Sequence, residues 1–256
     1  MRNQKTFMGL IVVLLALFLF MPTADAADFS VGGGVGVKPD YEGSSDYEMM
    51  PLPAANARFS NGMYIALLGL NLRANVIPSN VWRLGPVYNY RPERDDVENN
   101  KVDKMQKVSD ANELGIFGGL TWNNWFVFLD ILEDVGDAYD GWYATLRGGY
   151  NWAIDEAWTL SMGAHTTYAN DDYMQTYFGV SRRDAARSGL DRYNADGGMK
   201  EVGIDLGLNW NISRRWDLRS FAQISELIGD ADASSPVVDE GSATQFLGGV
   251  MVMFKF

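Results

Sequence analysis

The stretch EVGIDLGLNWNI, Glu201 to Ile212, alternates without a break. Val202, Ile204, Leu206, Leu208, Trp210 and Ile212 fall on one face, and Glu201, Gly203, Asp205, Gly207, Asn209 and Asn211 on the other. A period of two over a dozen residues defines a β-strand with one apolar and one polar face. The pattern recurs from Trp142 to Trp152 and from Trp158 to Tyr168. Further segments are Phe29 to Val37, Met49 to Phe59, Met63 to Ala74, Val81 to Arg91, Leu114 to Trp122, Trp125 to Leu132, Trp216 to Leu227 and Thr244 to Phe256.

A soluble β-sandwich also alternates, so the position of the aromatic and charged residues decides between the two folds. All eight Trp (82, 122, 125, 142, 152, 158, 210 and 216) fall at or near segment ends, as do Tyr90 and Tyr168. That is the pattern of aromatic girdles at membrane interfaces. The polar faces carry Arg58, Arg73, Arg83, Arg147, His165, Asp205 and Arg219 among Gly, Asn and Thr, as a hydrated or ion-paired lumen would. A Lys or Arg facing lipid near mid-bilayer costs roughly 2 to 4 kcal/mol, and no apolar face has one at its centre. The last segment puts Phe246, Val250, Val252, Phe254 and Phe256 on one face and stops on an aromatic residue, resembling the closing strand of bacterial outer-membrane barrels. The fold expected is an all-β, transmembrane, antiparallel up-and-down barrel of about ten to twelve strands.

Composition narrows the function. The 256 residues include 21 Lys plus Arg against 33 Asp plus Glu, for a formal net charge of -12, which argues against binding to nucleic acid. With no Cys and a single His, neither a disulfide framework nor a zinc site is expected. Arg2 and Lys5 precede an apolar run from Phe7 to Met21 that ends in Ala24-Asp25-Ala26. Residues 1–26 therefore read as a secretory signal peptide and residues 27–256 as the barrel.

Connection lengths give sidedness. Short links at Asn123-Asn124, Ala153 to Ala157 and Ser213 to Arg215 alternate with longer polar ones at Pro92 to Asn112, Asp134 to Gly141, Ala169 to Lys200 and Gly229 to Ala243. Short periplasmic turns and long external loops are the expected asymmetry. Eleven segments leave the termini on opposite sides, whereas single-chain bacterial barrels have even strand numbers. Counting back from Phe256 makes Ser60-Asn61-Gly62 external and Lys38 to Glu48 internal. If Met49 to Phe59, with Pro51 and Pro53, is not a full crossing, the barrel has ten strands. If Tyr173 to Val180 crosses, it has twelve, the preferred count, and the segments Pro92 to Asn112 and Asp134 to Gly141 then lie in the periplasm.

Four local features invite functional readings. Ser181-Arg182-Arg183-Asp184 reads as a capping box, with Gly189 closing a short helix that orders its loop or serves in docking or gating. Asp230, Asp232, Asp239 and Glu240 have no basic partner in their own loop and could hold a divalent cation, though without EF-hand spacing. Gly32-Gly33-Gly34 and Gly36 lack the lysine and helix of a phosphate loop and suit tight closure against a neighbouring strand. His165 shares a polar face with Ser161, but four residues of extended strand put them roughly 13 Å apart, too far for a nucleophile and its base. A lumenal His bonded to a neighbouring carboxylate or hydroxyl is expected instead, and the barrel is read as non-enzymatic, without cofactor or metal.

Pro39-Asp40-Tyr41-Glu42-Gly43-Ser44 with Pro51-Leu52-Pro53, Tyr173-Met174-Gln175-Thr176-Tyr177-Phe178-Gly179-Val180-Ser181, and Gly229-Asp230-Ala231 with Ser235-Pro236-Val237-Val238 resemble the MipA/OmpV family of outer-membrane proteins. The resemblance spans essentially the whole mature chain, and only Arg91 to Asn112 departs from the family's usual run. It implies an outer-membrane barrel, in one member a scaffold bridging a lytic transglycosylase and a murein synthase, in others linked to adhesion or antibiotic sensitivity. It supplies no catalytic residues. The function expected is thus a scaffold or interaction protein of the cell envelope, bordered by outer-membrane lipid and lipopolysaccharide. A narrow channel and an adhesin are the alternatives. Arg58, Arg73, Arg83, Arg147 and Arg219 with Asp130, Glu201 and Asp205 could interlock across the lumen, and Tyr143 and Phe221 would narrow it further.

Overall fold

The computed structural model describes residues 26–256. The signal-peptide expectation lies outside the described residues, save for Ala26, where the first strand begins. Among the described residues, twelve strands close into one barrel in which each pairs antiparallel with its chain neighbours. They are β1 (Ala26–Pro39), β2 (Tyr47–Phe59), β3 (Tyr64–Leu68), β4 (Asn71–Asn75), β5 (Trp82–Arg91) and β6 (Ala111–Trp122), followed by β7 (Trp125–Asp134), β8 (Trp142–Ala153), β9 (Trp158–Ala169), β10 (Gly198–Asn211), β11 (Trp216–Leu227) and β12 (Thr244–Lys255).

Twelve is the preferred count, but the extra strand is not the expected one. Met63 to Ala74 is two strands, because the chain reverses between Leu68 and Asn71 and β3 pairs back onto β4. Tyr173 to Val180 does not cross; it belongs to a helix and the residues just beyond it. Met49 to Phe59 is a full strand despite its prolines. Pro53 turns its carbonyl toward β3, where it accepts from the Gly69 amide (2.9 Å). Pro51 has the same parity, so the amide hydrogens these prolines lack face away from β1, and the β1–β2 ladder runs unbroken past both.

The seam between β1 and β12 pairs Val31 with Phe254 and Val35 with Val250. Gly34 is required there. A Cβ at this position would lie 2.6 Å from the Met251 Cα and closer still to the Val250 carbonyl oxygen, so only glycine lets the strands approach. The expected role of the Gly-rich start in closure is the observed one.

With an even strand count, the start of β1 and the end of β12 share one end of the barrel. The short connections at residues 60–63, 123–124, 154–157 and 212–215 lie at that end, together with seven of the eight Trp; Trp142 alone marks the other. Aromatic contacts knit the girdle: Trp158 stacks on Trp210 (5.0 Å), Trp216 meets Phe254 (4.9 Å), and Phe29 packs on Phe256 (5.2 Å). This is the periplasmic end by the asymmetry of connection lengths. Residues 40–46, 92–110, 135–141, 170–197 and 228–243 all emerge at the opposite, external end. This corrects three expectations: residues 40–46 are external, residues 60–62 are periplasmic, and residues 92–112 and 134–141 stay outside because the segment expected to flip them does not cross.

Candidate functional site

The external loops fold inward over the mouth. Helix α1 (Asp171–Phe178) is capped by the Asn170 side chain, which accepts from the Tyr173 amide (3.3 Å), and Asp171 and Asp172 complement the helix dipole. Its inner face buries Tyr173, Met174, Tyr177 and Phe178 against Ala111, Tyr139, Ala169, Leu227 and Val238. Helix α2 (Arg182–Ser188) forms where the capping box places it, with Ser181 Oγ accepting from the Asp184 amide. Gly189 ends it at a φ of 78°, a backbone that suits glycine. The Asp184 carboxylate also accepts from the Gln106 amide (2.6 Å), which ties this loop to residues 92–110. Helix α3 (Pro236–Asp239) is capped by Ser235, whose hydroxyl donates to the Phe178 carbonyl (2.7 Å) and locks the third loop onto α1.

Beneath these helices lies a buried ionic cluster whose members come from seven separate segments. Arg91, at the end of β5, donates to Glu113 (2.6 Å) and to Glu42 (2.9 Å). Its guanidinium sits over the rings of Tyr143, Tyr173 and Tyr177 at 5.3 to 5.5 Å. The Glu113 side chain is fully buried and also accepts from Asn89 (2.7 Å), Tyr139 (3.0 Å) and Tyr143 (2.8 Å). Glu42 accepts further bonds from Tyr173 (2.7 Å) and Lys200 (3.1 Å). Every buried charge here faces an opposite charge, as stability in low dielectric demands, although Glu42 takes all its bonds at Oε1 and its Oε2 is buried without a hydrogen-bond partner.

Two further polar layers line the inner wall of the lumen. In the middle, Arg73 pairs with Asp130 (3.0 Å) and Arg147 with Asp205 (3.1 Å). Near the periplasmic end, Asp217 is held by Lys255 (2.6 Å) and Arg219 (3.3 Å). Of the interlock expected from sequence, Arg73, Arg147, Asp130 and Asp205 take part as anticipated. Arg219 pairs along its own strand, Glu201 faces Lys200 at 3.5 Å, and Arg83 bonds to the backbone carbonyls of Ser79, Asn80 and Trp82. Tyr143 and Phe221 both face inward, Tyr143 in the ionic cluster and Phe221 against a lumenal apolar patch that includes Leu52 and Met251.

His165 is buried in the middle layer. Gln223 donates to its Nε2 (2.9 Å), and its Nδ1 donates to Asp205 (3.2 Å), the carboxylate partner expected. Ser161 instead donates to Asn151 (2.7 Å). Of the acidic residues in the last long loop, Glu240 finds a partner after all, Lys101 from residues 92–110. Asp230 accepts from the Asp196 amide and Asp232 from the Ser234 amide. The Arg91 cluster was not anticipated as a unit.

The mouth has a defined acid response. Burial alone would raise the Glu42 carboxyl, but Lys200, Arg91 and the Tyr173 hydroxyl outweigh it and hold the group at about 2. A carboxyl lowered by folding contributes stability above its unfolded value and loses it as pH falls toward its folded one. The Glu42 contribution to mouth stability should therefore be intact at pH 5 and vanish as pH falls toward 2. Proteolysis of residues 170–197 after incubation at graded pH checks this. Glu42→Gln should flatten that part of the profile.

A closed twelve-stranded barrel with an apolar outer face, a periplasmic aromatic girdle and short turns at one end defines the class: an outer-membrane β-barrel, here with ion pairs lining its lumen. The family model for MltA-interacting protein MipA matches residues 31–256, and the chain belongs to that family. "Putative outer membrane protein YiaT" of Escherichia coli O157:H7 is 25% identical over 250 residues, covering 95% of this chain and 98% of its own. MltA-interacting protein of Escherichia coli K12 is 24% identical over 242 residues, covering 89% and 92%. Among solved structures, the NanC porin aligns with a TM-score of 0.46 at 11% identity, covering 89% of this chain and all of that one. The protein is located in the bacterial outer membrane.

Proposed function

We propose that this protein is a non-conducting, non-enzymatic interaction protein of the cell envelope that docks a lytic transglycosylase, and through it a murein synthase, at its periplasmic end. The observation that carries this reading is the closed external mouth: α1 packs over the buried Arg91 cluster, and ion pairs line the lumen beneath it. A barrel so capped has surfaces rather than a passage to offer. The name of its relative, MltA-interacting protein, supplies the class of partner. No single periplasmic turn provides the roughly 800 Å² per partner of a typical interface. The ring of turns taken together supplies the surface, with Arg214 and Arg215 exposed at its edge. The outer face meets lipid and, in the outer leaflet, lipopolysaccharide. The adhesin reading is favoured by a different observation: the helices and nearly all the long loops lie at the external end.

Because the chain has no Cys, single substitutions separate the two readings. Arg214→Cys and Asn100→Cys are each loaded with a photoactivatable maleimide in whole envelopes. A transglycosylase adduct is expected from Arg214→Cys alone, while Asn100→Cys should label with an impermeant maleimide in intact cells. A transglycosylase adduct only at Asn100→Cys, or at neither position, would overturn the docking reading.

A further inference from the structure

The external end of this acidic chain carries an unpaired basic patch. Most cations there are held: Lys38 by Glu48, Lys101 by Glu240, Lys107 by Asp95, and Arg91 and Lys200 in the ionic cluster. Buried Arg94 donates to the Tyr177 carbonyl (3.0 Å). Lys104, Arg182, Arg183, Arg187 and Arg192 are the exceptions. All five are exposed, and among the described residues none of their side chains has a hydrogen bond or an ion pair. Asp103 and Asp191 stand beside them in sequence, yet neither comes within ion-pairing distance of any of the five.

The five sit on adjoining segments. Lys104 ends a single helical turn, Val102–Lys104, which is joined to α2 by the bond from the Gln106 amide to Asp184 and by Val102 and Met105, packed with Val180 and Leu190. α2 turns Asp184 and Ser188 inward and leaves Arg182, Arg183 and Arg187 outside. Nothing in the helix itself favours that choice. Arg182 and Arg183 occupy its first turn, where the dipole disfavours cations, and Arg183 and Arg187, four residues apart, form a like-charge pair on one face. Charges placed against local electrostatics and left without counter-ions mark a surface kept for an anion. Past Arg187 the patch borders a polar cleft of about 360 Å³ between three external loops, beginning at Gly189. Arg192 and Tyr193 line it with Asp191, Asp239 and the Lys101–Glu240 pair. Its size suits a small ligand group, and its carboxylates accept from hydroxyl groups but repel phosphate. The arginines beside it do the reverse, because the guanidinium fork matches phosphate oxygens bidentately.

We infer that this patch binds a phosphorylated sugar chain, the core of outer-leaflet lipopolysaccharide, with phosphates on Arg182, Arg183 and Arg187 and sugar hydroxyls in the adjoining cleft. Lipopolysaccharide is the phosphate-bearing glycan that surrounds this end of an outer-membrane barrel. The inference rests on the sidedness of the barrel and is independent of the periplasmic partner.

The test uses the full mature barrel in detergent and, as probe, phosphorylated core oligosaccharide cleaved from its lipid, so that acyl chains contribute nothing. Titration calorimetry reads the binding. The wild type should bind the oligosaccharide and should lose that binding once the sugar is dephosphorylated. Arg183→Gln combined with Arg187→Gln should weaken binding about tenfold. Lys38→Gln combined with Lys107→Gln removes the same charge from the same end and should change binding less than about twofold, because those cations already have partners and lie outside the patch. Arg182→Gln with Arg192→Gln is a second pair from the patch, used if the first loses the compact band on heat-modifiability gels. Absence of binding by the wild type, equal binding of the dephosphorylated sugar, or equal loss in the patch and control variants would overturn the inference. So would tighter binding of heparin than of the core, which would assign the patch to a sulfated glycan.

Discussion

Arg91→Ala is expected to cost about 3 to 5 kcal/mol, the penalty for stripping the partner from buried charge, and to loosen the external mouth. The substitution leaves the fully buried Glu113 carboxylate with neutral donors only, takes one of two cations from Glu42, and removes the centre over which Tyr143, Tyr173 and Tyr177 are arranged. Since α1 is held to the barrel largely by those tyrosines, the loss should be read twice. The temperature at which the compact form disappears on heat-modifiability gels should fall, and residues 170–197 should become protease-sensitive. Combining Arg91→Ala with Glu113→Gln should recover part of the loss, because removing both charges costs less than orphaning one. If the single variant melts like the wild type, the ionic cluster is not what holds the mouth shut.

The second large effect is on closure. Gly34→Leu puts a branched side chain where even a Cβ collides with the Val250 carbonyl and the Met251 Cα. Backbone is on the receiving side, so no rotamer relieves the clash, and the cost should exceed the ~1 to 3 kcal/mol of ordinary overpacking. Insertion should fail, with loss of the compact band and periplasmic degradation of the chain. Gly33 is the control: it faces outward, and a Cβ there meets only the Leu52 carbonyl oxygen at 3.7 Å. Gly33→Leu should assemble. Equal yields of the two variants would contradict the seam.

Which parts of this were legible in sequence follows from the range of the interactions. Alternation is local, so strands such as Trp142–Ala153 and Trp158–Ala169 could be read directly, as could the capping box at Ser181. The β3–β4 reversal was hidden because Ala66-Leu67-Leu68-Gly69-Leu70 has no polar residue to reveal that the inward phase shifts from even to odd numbers. Helix α1 was visible in principle: Asn170 caps it, Asp171 and Asp172 open it, and its buried residues fall at 173, 174, 177 and 178, a helical spacing. Reading that apolar block as a crossing also misplaced residues 92–112 and 134–141. The Arg91 cluster was not readable because its partners stand as far apart as Glu42 and Lys200 and meet only once the barrel has closed.

A barrel capped at its external mouth is expected not to conduct, and planar-bilayer recording of the purified wild-type protein tests this most directly. The Arg73–Asp130, Arg147–Asp205 and Lys255–Asp217 pairs and the mouth beneath α1 should leave the bilayer without stable conductance steps. Arg91→Ala, in the same bilayer, should produce flickering current. A stable, large unitary conductance from the wild type would contradict the closed mouth and make the channel the better description.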